Sequence, residues 1–343
     1  MLQLKNESIF AASMGVFNDP GGVESAYGVT KAVFDIRAGR LLPAAEAAPI
    51  QPVDQFSGDP TKSSLASTGE ITLSKPYTDI VLCGSAYAPQ GAAKEMLVSL
   101  RVGEFEKSIR VFGDRVWKEG VFGCKPSDPE TFETLPLVFE RAFGGTDTQP
   151  RDPDQIDFVA RNPIGAGLVP KNSRTRPTEI RLPNLESDQQ LIRSTSDRPE
   201  PACFAPIAPH WDPRKTFAGT YDETWQTSRA PYLPIDFDSR FFNCTSPQLS
   251  GQQILSGGQT IDAIGVTREG SLTIELPEIE VIHAYDFNGQ VHSYPAAMDT
   301  IVIRPDQKQV TILWRSCQPV DKNLLQLKSL ANICPQYPKL KAA

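Results

Sequence analysis

Three histidines, His210, His283 and His292, are the residues of this chain best suited by type to proton transfer or metal ligation. Their spacing argues against both. No two stand at i, i+4 and no cysteine pair accompanies them, so a zinc site is not expected. An activated serine would need a strained turn to present it, and no G-x-S-x-G elbow occurs. Gly144-Gly145 and Gly165-Ala-Gly167 lack the strand–GxGxxG–helix setting and the P-loop lysine, so they read as turns. The carboxylates Asp222, Glu223, Asp236 and Asp238 lie among aromatic residues and could line a sugar cleft as paired acids. A simpler reading is local. Asp222 and Glu223 suit the first turn of a helix, where negative charge is favoured, and Asp236 and Asp238 suit turns or caps. No catalytic residue, metal or cofactor is therefore assigned, and the chain is not expected to be an enzyme.

What remains is binding chemistry, and it is concentrated. Nine of the 29 aromatic residues fall between Phe204 and Phe242, and five prolines lie between Pro199 and Pro213. Each proline removes a backbone donor and fixes its own φ, so Arg198–Asn243 is neither a long helix nor a central strand. Arginines recur beside the rings, at Arg214, Arg229 and Arg240. Such pairs either hold an irregular segment together by stacking and ion pairing or anchor a protein partner. His210, Trp211, Arg214, Tyr232, Phe237, Arg240, Phe241 and Phe242 are the candidate partner-binding residues. Tyr221 and Trp225, at i and i+4, are expected on the inward face of a short helix.

The elements around this block read mainly as strands. Glu24–Ile36 is β-branched and partly alternating, and Asp79–Ala88 is a near-continuous apolar run suited to a central strand. Glu95–Val102 and Phe105–Phe112 alternate with period two on either side of Gly103-Glu104, the signature of a II′ hairpin. Arg115–Lys118 should continue that sheet after a turn. Ser127–Glu130 and Thr220–Glu223 both match the S/T-x-x-E capping box and predict helix starts, the second limited by Pro231 to Tyr221–Arg229. Ser271–Leu276, Glu280–Phe287, Thr300–Arg304 and Gln309–Arg315 read as strands, and Lys322–Leu330 as a short terminal helix. The expected fold is mainly β, with antiparallel sheets in a sandwich-like or barrel-like arrangement, a long irregular middle and a few short helices. Three regions follow: 1–119, 120–250 and 251–343. The two β regions are either separate modules or share one core with the middle draped over it.

The totals fit that picture. Gly and Pro together make up about 16% of the 343 residues, enough to favour a turn-rich β fold and too little for disorder. A net charge of −7 argues against a general nucleic-acid binder. No apolar run reaches about 18 residues, so no membrane span is expected. The N-terminus lacks a signal-peptide pattern, and six scattered cysteines without a C-x-x-C read as reduced thiols in the cytoplasm.

An ordered series of motifs carries a family resemblance. It runs through TKAVFDI (30–36), GRLLPAAE (39–46), GDP (58–60), LRVGEFEKSIRVFGDRVW (100–117), PLVFERAFGG (136–145) and RNPIGAG (161–167). It continues through LPNLE (182–186), FAPIAPHWDPR (204–214), GTYDETWQTSRAPYLPIDFDSRFFN (219–243) and IVIRPDQKQVTILWR (301–315). From about residue 20 to 330, the chain resembles a bacterial family of unknown function encoded beside type VI secretion effectors. The resemblance implies an adaptor or chaperone that helps load a toxic effector onto the secretion spike. Its expected partners are the effector's PAAR-type region and the VgrG spike protein, inside the donor cell. It brings no catalytic residues. The reading from residues alone keeps a second possibility, a carbohydrate-binding or carbohydrate-active β protein that uses Trp211, Trp225 and nearby acids.

Overall fold

Alternating side chains and β-branched residues make Glu24–Arg37 the longest strand of the fold, with neighbours from both ends of the chain. The computed structural model describes residues 2–121, 123–250 and 253–339. Strands hold 41% of the residues and helical turns 9%, so the fold is mainly β, and no barrel closes among the described residues. Three larger sheets carry it. The six-stranded sheet runs Ala11–Asn18, Glu24–Arg37, Gln309–Pro319, Ala297–Arg304 and Asp79–Leu82, with Arg40–Pro43 added beside Glu24–Arg37. A five-stranded sheet runs Leu185–Ser187, Phe105–Phe112, Glu95–Val102, Thr260–Ile264 and Ser271–Glu275. A four-stranded sheet runs Gln3–Asn6, Leu327–Ile333, Ile282–Phe287 and Gln290–Pro295. Pairing in these sheets is antiparallel except between Gln3–Asn6 and Leu327–Ile333 and between Asp79–Leu82 and Ala297–Arg304.

Strands from the first and last thirds thus share the same sheets. The main core follows from this. Ala32, Phe34, Ile80, Leu82, Ile301 and Ile312 of the six-stranded sheet share one buried cluster with Val98, Leu100, Ile109 and Ile261 of the five-stranded sheet. Further along the same even-numbered face of Glu24–Arg37, Ala26 joins Tyr285 and Leu330 of the four-stranded sheet in a second cluster. There Gly28 faces the His283 ring so closely that an added Cβ would stand 2.6 Å from Nδ1. His283 bonds Thr30 Oγ1 through Nε2 (2.9 Å) and Ser316 Oγ through Nδ1 (2.6 Å). Burial, first, and Arg315, second, push its pKa down to about 4, so it is a neutral core residue.

The hairpin forms as its sequence predicts: Gly103 takes a φ of +57° and Glu104 does not follow it into positive φ, as a II′ turn requires. Four other expectations are corrected. Asp79–Ala88 breaks after Leu82, and Ser85–Tyr87 pairs instead with Thr134–Pro136. Trp117–Gly120 does not extend the five-stranded sheet but forms its own hairpin with Gly123–Pro126. No helix starts at Ser127: the Ser127 hydroxyl accepts from the Val116 amide and the Glu130 amide donates to Asp114 O, which hold the segment extended beside 113–116. Lys322–Leu330 is not a helix throughout. A 3-10 turn covers Asp321–Gln326, and Leu327–Ile333 is a strand because it is bonded on both sides.

Candidate functional site

The aromatic block is a long excursion with buried roots. Asp79–Leu82 ends the six-stranded sheet, and an open edge there would leave backbone donors unpaired. The block and the residues just after it supply the acceptors: the Ile80 amide donates to Leu249 O (3.0 Å) and the Leu82 amide to Phe204 O (3.1 Å). The two roots also bond each other, Ile207 N to Cys244 O at 2.6 Å. Asp79 completes the joint. Its buried carboxylate accepts from Lys75 Nζ (2.7 Å), Asn243 Nδ2 (3.1 Å), the Cys244 amide (3.0 Å) and Thr245 Oγ1 (3.0 Å). Burial alone would raise its pKa, but Lys75 and these donors hold it below the usual carboxylate range.

Every residue of Ala202–Ala208 is buried, and Trp211 is fully buried edge-on against Phe139 at 5.4 Å. Trp211 is therefore a core residue in this fold and offers no contact surface. Arg214 is buried too. Its guanidinium donates to Ile207 O (2.6 Å) and Phe241 O (2.9 Å), so it ties root to tip. His210 is exposed beside Phe56 (6.0 Å), and desolvation, with Arg214 and Lys215 nearby, lowers its pKa.

The tip, 217–242, is built differently. Phe237, Phe241 and Phe242 form a triangle of half-buried rings 5.5 to 5.7 Å apart. Arg240 lies 4.4 Å over the Phe217 ring and bonds Asp238, whose carboxyl it holds below its ordinary pKa. Asp236 accepts from the Thr220 amide and hydroxyl, which lower its pKa as well. Thr220 is thereby withdrawn from capping. The helix spans only Glu223–Ser228, and Asp222 caps it by accepting from the Trp225 amide at 2.8 Å. None of its residues is buried, so the expected inward face of Tyr221 and Trp225 is corrected: the rings meet each other at 4.7 Å near the surface. All three of Asp222, Asp236 and Asp238 thus serve local caps and turns.

An apolar groove of about 540 Å³ opens where the tip meets the sheet. Tyr232, Leu233 and Phe242 form one wall, Val16 and Phe17 of an outer strand the other, and Ile71 and Leu73 complete it. Arg229 holds the tip in place by bonding Pro20 O (2.8 Å) and Leu233 O (2.9 Å). Apolar surface is exposed here: Tyr232 (42%) and Phe17 (40%) in the groove's own lining, Ile235 (88%) and Tyr221 (53%) elsewhere on the tip. Of the eight sequence candidates, the structure gathers Tyr232, Phe237, Arg240, Phe241 and Phe242 in the tip. It leaves His210 at the root and seals Trp211 and Arg214 inside. Sequence reasoning missed Ile235 and the Phe17–Leu73 side of the groove. An isoleucine directly after Pro234, in a turn, was the available signal for the first. Only long-range packing brings in the second.

The fold and this groove define a mainly β protein with a stapled aromatic excursion. Residues 21–315 match the family described as "Uncharacterized protein conserved in bacteria (DUF2169)", and the chain belongs to that family. No curated protein and no solved structure matches the chain. Among the described residues, no helix is long and apolar enough to cross a membrane.

Proposed function

We propose that this protein is a binding adaptor that holds an apolar segment of a partner protein in the groove between the 217–242 tip and the outer strand Ala11–Asn18. The carrying observation is the groove itself: about 540 Å³, walled by aromatic and aliphatic side chains, with Tyr232 exposed in its lining and Ile235 exposed three residues further along the tip. Exposed apolar patches with aromatic and arginine anchors are the usual chemistry of protein capture. The motif resemblance supports reading the partner as a type VI secretion effector, with the PAAR-type region as the segment held and the VgrG spike as the site of delivery.

The test is co-expression with the effector encoded beside it. The adaptor should co-purify with the effector, and double substitution of Tyr232 and Ile235 by serine should abolish that capture while the adaptor stays folded. An effector that remains soluble and is secreted normally from cells lacking this protein would sink the reading.

A further inference from the structure

Ala11–Asn18 is the outermost strand of the six-stranded sheet, and its free side is unprotected. It pairs with Glu24–Arg37 residue for residue, from Ala11 opposite Lys31 to Asn18 opposite Glu24, without a bulge. In an antiparallel ladder every second residue turns its N–H and C=O away from the neighbouring strand. Among the described residues, no other segment's backbone bonds to the backbone of Ala11–Asn18.

Strand edges are normally blunted by shortness, by charge, by proline or by a covering segment. The other edges of the three larger sheets follow that rule. Leu185–Ser187 has three residues, Gln3–Asn6 carries Lys5, Ser271–Glu275 ends on Glu275 and Gln290–Pro295 on Pro295. Asp79–Leu82 is covered by the carbonyls of Phe204 and Leu249. Ala11–Asn18 reads AASMGVFN, eight residues with no charge and no proline. This edge also runs into the apolar groove, which Val16, Phe17 and Asn18 line together with Tyr232 and Phe242 of the tip. Open main-chain groups beside a side-chain pocket are the two parts of strand addition: the first give affinity, the second specificity.

On the adaptor reading above, we propose that the partner's segment is held as an extended strand added to the free side of Ala11–Asn18, with one of its apolar side chains seated in the groove. A second copy of this chain is a poorer occupant. Eight paired residues run about 27 Å, so with a sheet about 10 Å thick, edge pairing alone covers roughly 270 Å² per chain. A stable interface covers about 800 Å² per partner. A second copy would also bring an edge whose Met14 and Val16 are already packed in its own core, whereas a free segment has all its side chains to offer.

Amide exchange followed by NMR on the full protein, alone and bound to the effector encoded beside it, tests this. Alone, every second amide of Ala11–Asn18 should exchange fast. In the complex those amides should slow by about tenfold or more. Uniform protection in the free protein overturns strand addition, because the edge is then already covered. A complex in which these amides stay fast overturns it too and leaves the adaptor reading standing, whereas absence of any complex overturns both. Protection that rises with the concentration of the protein alone, together with a dimer mass, assigns the edge to a second copy and overturns the proposal. Ala12→Pro and Ser13→Pro give a second measurement. One of these neighbours turns its N–H outward, and proline there removes no ladder bond. That variant should stay folded and bind the effector about tenfold more weakly. Wild-type affinity in it overturns strand addition.

Discussion

Residues 202–211 and 217–242 draw on similar apolar and aromatic side chains, yet they meet opposite environments. In the first run Ala202–Ala208 and Trp211 are buried and Phe204 bonds the Asp79–Leu82 edge, with only His210 left exposed. The second carries Ile235, Tyr221 and Tyr232 at its surface and is held mainly by turns, caps and arginine contacts. One continuous segment thus contains a structural staple and a presented surface. The difference teaches that aromatic density alone does not mark a binding face. What separates the two is backbone demand: the open edge of Asp79–Leu82 needs acceptors, and the root, which supplies Phe204 O, is drawn into the core with it.

The largest effects should come from the root. Trp211→Ala removes a fully buried indole and should cost about 3–5 kcal/mol in urea unfolding. Asp79→Ala leaves the buried Lys75 ammonium without its carboxylate and should cost a similar amount, about 3–5 kcal/mol, with earlier proteolysis within 198–250. If either variant unfolds at the wild-type midpoint, the staple is misassigned. Acid should act on the core before it acts on the tip. His283 is held at about 4 in the fold against 6.5 when unfolded, so the unfolded chain binds more protons between those values. Stability is then full above pH 6.5 and falls by about 3 kcal/mol as pH drops to 4. His283→Gln should flatten that slope. Asp236 and Asp238, with pKa values lowered in the fold, lose their contribution only as pH falls below the ordinary carboxylate value, 3.8.

Smaller effects belong to the tip. Phe242→Ala opens one side of the ring triangle and should cost about 1–2 kcal/mol, because the ring is only half-buried. Tyr232→Ser and Ile235→Ser should each shift stability by less than about 0.5 kcal/mol while weakening partner capture. A tip variant that destabilises as strongly as Trp211→Ala would erase the contrast.

Much of the β framework was legible because its signals are local. The Glu95–Phe112 hairpin combines strict alternation with a glycine where positive φ is needed, and nothing distant competes with it. Two of the misreadings share one cause: a partner away from the local motif. Thr220 matched a capping box but bonds Asp236, sixteen residues on, and the cap passed to Asp222. Lys322–Leu330 read as a short helix, but its second half belongs to Leu327–Ile333, which lies between two strands, one from the N-terminus. Of the candidate site, the sequence made the aromatic block visible, because composition needs no fold. It could not divide that block.

By itself, the sequence determined a mainly β protein, the hairpin, most strand positions and the existence of an irregular aromatic segment. These depend on side-chain period, turn chemistry and proline sterics, all set within a few residues. Only the tertiary structure decided which rings are buried, that Asp79 staples the segment, and that Val16, Phe17, Ile71 and Leu73 complete the groove. Those outcomes depend on burial and on pairing unmet backbone groups, which are settled by contacts between residues far apart in the chain.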